Sequence, residues 1–255
     1  MATFAVVNQK GGVGKTTTVI NLGAYLGALG SKVLLVDCDP QANTTGGLGM
    51  NGVACGLYDV LADAVPAAHA IVRTSVEGVD LLPSTAELTG AEIELLDCED
   101  RTGLLRAALD GLQSWYSYIL LDCPPSLGLL TLNALVAADA VLVPVQCEYL
   151  ALEGLVRLMD TIDRVRTRAN PDLRILGLLM TMYDGRTMLS HQVAGEVRRH
   201  YPRLTFETVI PRNVRLGEAP SFGQPILRYD PASRGAQAYQ ALAREVVARA
   251  PVGAR

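Results

Sequence analysis

The sequence predicts an α/β fold: one doubly wound, mostly parallel sheet with helices over both faces. Three observations point there. Short β-branched or aliphatic runs alternate with longer helical stretches. The runs lack the polar alternation of a half-exposed strand, as expected when both faces are covered. A chain of 255 residues that is 49% apolar can also bury a large core. No repeat, low-complexity tract or Pro/Ser-rich linker divides it, so residues 1–255 are expected to form a single domain.

In chain order, TFAVVN (3–8) is the first strand and leads through a glycine-rich turn to a helix at about 15–29, ending near Gly30. KVLLVD (32–37), VDLLP (79–83) and YSYILLD (116–122) are strands two to four. AVLVPV (140–145), LRILGLLM (173–180) and LTFETVI (204–210) follow, with helices between most of them. Right-handed crossovers place the strand C-terminal ends along one edge, so the loops beginning at Asn8, Asp37 and Asp122 converge there. Glycine-rich residues 44–56 (TTGGLGMNGVACG) are expected as a mobile surface loop. A last helix, 233–249, places Tyr239, Leu242, Ala243, Val246 and Val247 on one core-facing stripe. A membrane-seeking tail would carry bulkier apolar residues opposite a basic face, so no membrane attachment is expected. Neither a charged-then-apolar leader nor an apolar run of about 20 residues is visible.

Five cysteines without C-x-x-C spacing read as buried, reduced thiols of a cytoplasmic protein. Charge is uneven. Residues 1–150 hold three lysines and three arginines against 16 acids, whereas residues 151–255 hold 16 arginines against ten acids. Such asymmetry suggests an anionic partner for the second half, or arginines paired with neighbouring acids on solvated faces.

The stretch NQKGGVGKTT (8–17) keeps the working end of the phosphate-loop pattern G-x-x-x-x-G-K-[ST], with Gln9 where the leading glycine belongs. Gly11, Gly12, Val13 and Gly14 supply a turn that aims backbone N–H groups and the positive helix end at phosphates. Lys15 then meets the β/γ-phosphates, the Thr16 hydroxyl binds Mg²⁺, and Thr17 lies near the α-phosphate. Only three of 22 basic residues are lysines, and Lys10 and Lys15 are both in this loop. A slim ammonium fits between phosphate oxygens where a planar guanidinium does not. VLLVDCDPQ puts Asp37 and Asp39 just past strand two, and YILLDCPPS ends strand four on Asp122. Aspartates at such tips can hold Mg²⁺ through water or orient an attacking water; alternatively, Asp before Pro caps a turn.

KGGVGKT with its extra lysine, followed by VLLVDCDPQAN and ILLDCPPS, resembles the deviant Walker A ATPases. Within these it is similar to the ParA/Soj chromosome- and plasmid-partition ATPases. The likeness continues through PVQCEYLALEGL (144–155), IPRNVRLGEAPSFGQPI (210–226) and YDPASRGAQAY (229–239), thus essentially the whole chain. The resemblance is to the short members, so no N-terminal DNA-reading extension is expected. The resemblance implies ATP and Mg²⁺ as cofactors, weak intrinsic hydrolysis to ADP and phosphate, and an ATP-sandwich homodimer in which Lys10 reaches the partner's nucleotide. Gly11 would lie at that close approach. Asp39 would position the hydrolytic water, with Asp37 and Asp122 supporting the metal, and Pro211 and Asn213 would border the adenine. Arg186 and Arg215 match positions for non-specific double-stranded DNA contact, and a ParB/Spo0J-type centromere-binding protein would stimulate turnover. The implied location is cytoplasmic and nucleoid-associated.

Arg198 and Arg199 are further DNA candidates by residue type. Arg157, Arg164 and Arg168 share a helix face, but Glu153 and Asp160 precede the first two by four residues, the favourable order for ion pairs, so a solvated face is expected. Three alternatives remain. One is a MinD-like membrane-positioning ATPase. Another is a redox ATPase like the nitrogenase iron protein, for which Cys98 and Cys123 are the pair to consider. The third is a biosynthetic P-loop ligase.

Overall fold

The computed structural model describes residues 1–95, 98, 100–149 and 151–250. All seven expected strands form: β1 (Ala2–Val6), β2 (Val33–Asp37), β4 (Val79–Leu82), β5 (Tyr118–Asp122), β6 (Ala140–Gln146), β7 (Arg174–Tyr183) and β8 (Thr205–Pro211). An unexpected two-residue strand, β3 (Val72–Arg73), pairs antiparallel with β4. The sheet runs β3-β4-β2-β5-β1-β6-β7-β8, parallel apart from β3.

The helices are α1 (Lys15–Ala28), α2 (Asn43–Gly47), α3 (Leu57–Leu61), α4 (Ala67–Ala70), α5 (Leu88–Glu94), α6 (Leu104–Asp110), α7 (Leu129–Ala137), α8 (Ala151–Arg168), α9 (Met188–His200), α10 (Val214–Glu218), α11 (Ile226–Tyr229) and α12 (Arg234–Arg249). Two cores lie on opposite sheet faces. Phe4 and Val6 of β1 join Val33 and Leu35 of β2 beneath α1 and α12, while Ala5, Leu34 and Val36 face Leu105, Leu130 and Leu158 of α6 to α8. That division explains why the strands lack polar alternation. Tyr239, Leu242, Ala243 and Val246 of α12 are buried and Val247 partly so, as the stripe predicted. The edge strand β8 is covered in part by Glu245, whose carboxylate accepts from the backbone N–H groups of Glu207 and Thr208 (2.9 and 3.0 Å).

One expectation fails, and another holds with a difference in detail. The stretch 44–56 is no mobile surface loop at its start: Thr44, Thr45 and Gly47 are buried in α2. On α8, neither Glu153–Arg157 nor Asp160–Arg164 closes among the described residues; the pair that forms there is Arg166–Asp163 (2.9 Å). Arg157, Arg164 and Arg168 are exposed, so the expected solvated face forms without those two pairs, each of which would add little at an exposed site.

Candidate nucleotide site

The turn between β1 and α1 has the conformation that its glycines permit. Gly12 and Gly14 take φ of 74° and 91°, and Gly14 caps the N-terminus of α1. Gly11 is different. Its φ is not in the left-handed range, it is exposed, and a Cβ there would meet nothing within 4 Å. No neighbour within the chain requires it to be glycine. Val13 is buried, and its carbonyl accepts a bond from the Thr181 hydroxyl (2.8 Å), so the end of β7 braces the loop. Lys15 is 7% exposed, and its ammonium donates one long bond to the Lys10 carbonyl (3.4 Å). Burial lowers its pKa, opposed by Asp122, Cys123 and Asp39. Such a sparsely bonded ammonium beside free loop amides is suited to a polyanion. Thr16 and Thr17 occupy the first turn of α1, half-buried.

Pairing in the sheet sets Asp37 of β2 directly beside Asp122 of β5, and β5 in turn lies beside β1. Both carboxyls are fully buried. Asp37 Oδ2 accepts from Thr45 N and Oγ1 (2.8 and 2.7 Å), and Oδ1 from Asp39 N (3.3 Å). Asp122 Oδ2 accepts from Thr44 Oγ1 (2.7 Å), whereas its Oδ1 is buried and closes no hydrogen bond of ordinary geometry. Burial pushes the Asp37 pKa up, reinforced by the Asp122 charge. Burial likewise raises Asp122, while the Thr44 and Thr16 hydroxyls and Lys15 act in the opposite direction. Asp39 is 7% exposed and accepts from Gln41 N (3.0 Å). No cluster of three or more His, Cys, Asp or Glu among the described residues could hold a metal. Mg²⁺, however, usually takes one or two carboxylates and fills its shell with phosphates and waters. The bare Asp122 Oδ1 and the Thr16 hydroxyl are hard oxygen donors, so the residues fit Mg²⁺ carried in with a nucleotide.

Lys10 is exposed and its ammonium forms an ion pair with Glu148 of its own chain, whose carboxylate also accepts from Gln146 Nε2. Sequence reasoning missed Glu148, Thr44, Thr45 and Thr181. Pro211 ends β8 and pairs with Tyr183, and Asn213 caps α10 by accepting from Arg215 N (2.9 Å). Both lie at the same strand ends as the phosphate loop, displaced from it by β6 and β7. Arg186 and Arg215 are well exposed and carry intrachain partners. Arg186 holds Asp184 through two bonds (2.9 and 2.7 Å), depressing the Asp184 pKa; Arg215 holds Glu218 (2.8 Å) and approaches Asp230 (3.5 Å). Arg199 pairs with Glu196 (2.8 Å), and the Arg198 charge partly offsets the upward push that burial gives the Cys147 thiol pKa. All five cysteines are free thiols; Cys38, Cys123 and Cys147 are buried, whereas Cys55 is intermediate and Cys98 exposed, against expectation. A fully buried Cys123 cannot reach a cluster shared with a second subunit, which removes the iron-protein alternative.

Phosphate loop, buried strand-tip aspartates and parallel doubly wound sheet together define a P-loop nucleotide-binding protein. The AAA domain family model matches residues 1–175. The chromosome partitioning protein ParA of Caulobacter vibrioides is 54% identical over 250 residues, covering 96% of this chain and 94% of that one. The sporulation initiation inhibitor protein Soj of Bacillus subtilis is 54% identical over 247 residues, covering 96% and 98%. A Mycobacterium smegmatis crystal structure, described as cobyrinic acid a,c-diamide synthase with bound ATP analog and magnesium, superposes with a TM-score of 0.86 at 42% identity, covering 96% and 93%. The chain belongs to the ParA/Soj family of chromosome-partitioning ATPases.

Proposed function

We propose that this partition ATPase works as an ATP-sandwich dimer that grips DNA without sequence preference and lets go on hydrolysis. Its cofactors are ATP and Mg²⁺, in keeping with the relative solved with both an ATP analog and magnesium. The loop amides, the α1 N-terminus and Lys15 hold the phosphates. Thr16 and Asp122 would hold the metal, which would supply charge neutralisation for the triphosphate. Asp39 orients the attacking water. Pro211 and Asn213 border the adenine.

One observation carries the dimer: Gly11 is glycine without an intrachain reason, at the exposed entrance of a loop whose other glycines have one. A second copy packed there supplies the reason. Lys10 then leaves Glu148 for the partner's triphosphate. Arg186 and Arg215 exchange their carboxylates for DNA phosphates, and pairing two protomers doubles the phosphate contacts. A ParB/Spo0J-type partner accelerates turnover, and DNA-bound dimers are nucleoid-associated.

The membrane-positioning alternative is disfavoured by α12, whose apolar stripe is packed into the core. No helix among the described residues is long and apolar enough to cross a membrane. The biosynthetic name belongs to a structure at 42% identity, against 54% for the partition proteins.

Light scattering after size exclusion tests the reading. The parent should double its mass with ATP, Lys10→Ala should not, and Asp39→Ala should remain doubled. A parent that binds ATP yet keeps its mass overturns the dimer. Liposome co-sedimentation with ATP should leave the protein in the supernatant; pelleting favours the membrane alternative.

A further inference from the structure

Thr44 and Thr45 are consecutive on α2, 0% and 4% exposed, and each hydroxyl serves a different aspartate. The two carboxylates are left in unlike states. Asp37 accepts bonds at both oxygens from its own chain, and the N–H of Ser84 donates in turn to Thr45 Oγ1 (3.0 Å), extending the network toward β4. Asp122 is held at Oδ2 by Thr44, and its buried Oδ1 closes no hydrogen bond of ordinary geometry, with the Thr16 hydroxyl near enough to favour the carboxylate charge. A buried acceptor without a well-formed bond is costly, so such groups are few in native proteins and usually mark a ligand or a function. Asp χ2 is broad, and a carboxylate free to turn about it would seek another donor. The Thr44 hydroxyl removes that freedom.

We propose that Thr44 is a positioning residue: by fixing Asp122 Oδ2 it keeps Oδ1 presented to the site lined by Lys15 and Thr16, and so makes Asp122, not Asp37, the carboxylate offered to nucleotide-bound Mg²⁺. This rests on the Mg-nucleotide reading of the site. Asp37 then serves the structure, tying α2 and the Asp39 turn to the tip of β2. Thr44 Oγ1 reaches Asp122 across 78 positions of sequence, so no local pattern shows it.

The test is binding of a fluorescent ATP analogue as Mg²⁺ is titrated, with EDTA as the metal-free arm. Thr44→Val keeps the shape and deletes the donor. It should raise half-saturating Mg²⁺ about tenfold, the scale of one lost charge-assisted hydrogen bond, with EDTA affinity unchanged. Thr44→Ser should restore the parent curve. In an Asp122→Asn background Thr44→Val should add nothing, because the group it acts through is gone. Should Thr44→Val not fold, Thr44→Cys takes its place; its weak S–H donor should give a smaller shift in the same direction. A parent-like Mg²⁺ curve for Thr44→Val, a Thr44→Ser variant as impaired as Thr44→Val, or an undiminished effect on Asp122→Asn overturns the proposal. A parent that binds no nucleotide overturns the underlying reading instead, and the proposal with it.

Discussion

Removing Glu148 should strengthen the ATP dimer. In the free chain its carboxylate holds the Lys10 ammonium, and both side chains keep close to half their exposure, 44% for Lys10 and 47% for Glu148. An ion pair that exposed contributes at most about 1 kcal/mol. Two such pairs open when two protomers exchange their lysines, so release costs up to about 2 kcal/mol per dimer, a ceiling of about 30-fold in the dimer dissociation constant. Glu148→Gln, made on Asp39→Ala so that nucleotide is not consumed, should therefore dimerise at lower concentration by a factor between a few and about 30. Sedimentation equilibrium with Mg-ATP reads this directly. The advantage should vanish near 1 M salt, where screening falls to about 3 Å. Without nucleotide both proteins should stay monomeric. A dimer weakened by Glu148→Gln would refute the reasoning, because Glu148 would then be a contact of the dimer and not a competitor for Lys10. An unchanged constant at low salt would refute it equally.

Asp39→Ala should leave ATP affinity and DNA-bound dimers intact while abolishing phosphate release; release at the parent rate would remove Asp39 from its role. Gly11→Val should leave the thermal midpoint within about 1 °C, since its Cβ meets nothing, yet prevent the mass doubling with ATP; a variant that doubles like the parent shows that nothing packs there. With about three phosphate contacts per protomer, the log K versus log salt slope should be about −5 for the dimer, and Arg186→Ala or Arg215→Ala should each bring it to about −3.6 in anisotropy titrations. Asp184→Asn should tighten DNA binding by freeing Arg186 from its two bonds. Salt-independent affinity counts against both arginines, and no effect of Asp184→Asn counts against Arg186.

The strands could be read because burial on both faces leaves them continuously apolar, and β3 could not, because two edge residues carry no period. The phosphate loop and its aspartates were legible for a related reason. Their chemistry depends on glycines, one lysine and strand tips, all of which are local. What escaped notice is nonlocal. Thr44 and Thr45 look like loop residues in a glycine-rich stretch until the sheet sets Asp122 and Asp37 beside them, and their hydrogen bonds tie the start of that stretch to the sheet. Glu148 lies 138 positions from Lys10, and Thr181 lies 168 from Val13. On α8 the solvated arginine face was legible, whereas the spacing could not say which ion pairs would close on it.

Sheet order also turns the division of charge along the sequence into one in space. Strands from the acidic first 150 residues occupy the sheet from the β3 edge through β6, and the arginine-rich remainder supplies β7, β8 and the helices around them. The phosphate loop springs from β1, between β5 and β6, close to that seam, and β7 reaches across it through Thr181. Arg186 follows β7 by three residues and Arg215 follows β8 by four, so both stand on the basic side at the strand ends that carry the phosphate loop. In the proposed DNA-binding role, this charge layout would repel a polyanion over one flank and attract it over the other, orienting encounter before any contact forms. In the proposed dimer, nucleotide-dependent pairing would need only to bring two such flanks together, with no new cationic surface made inside either protomer.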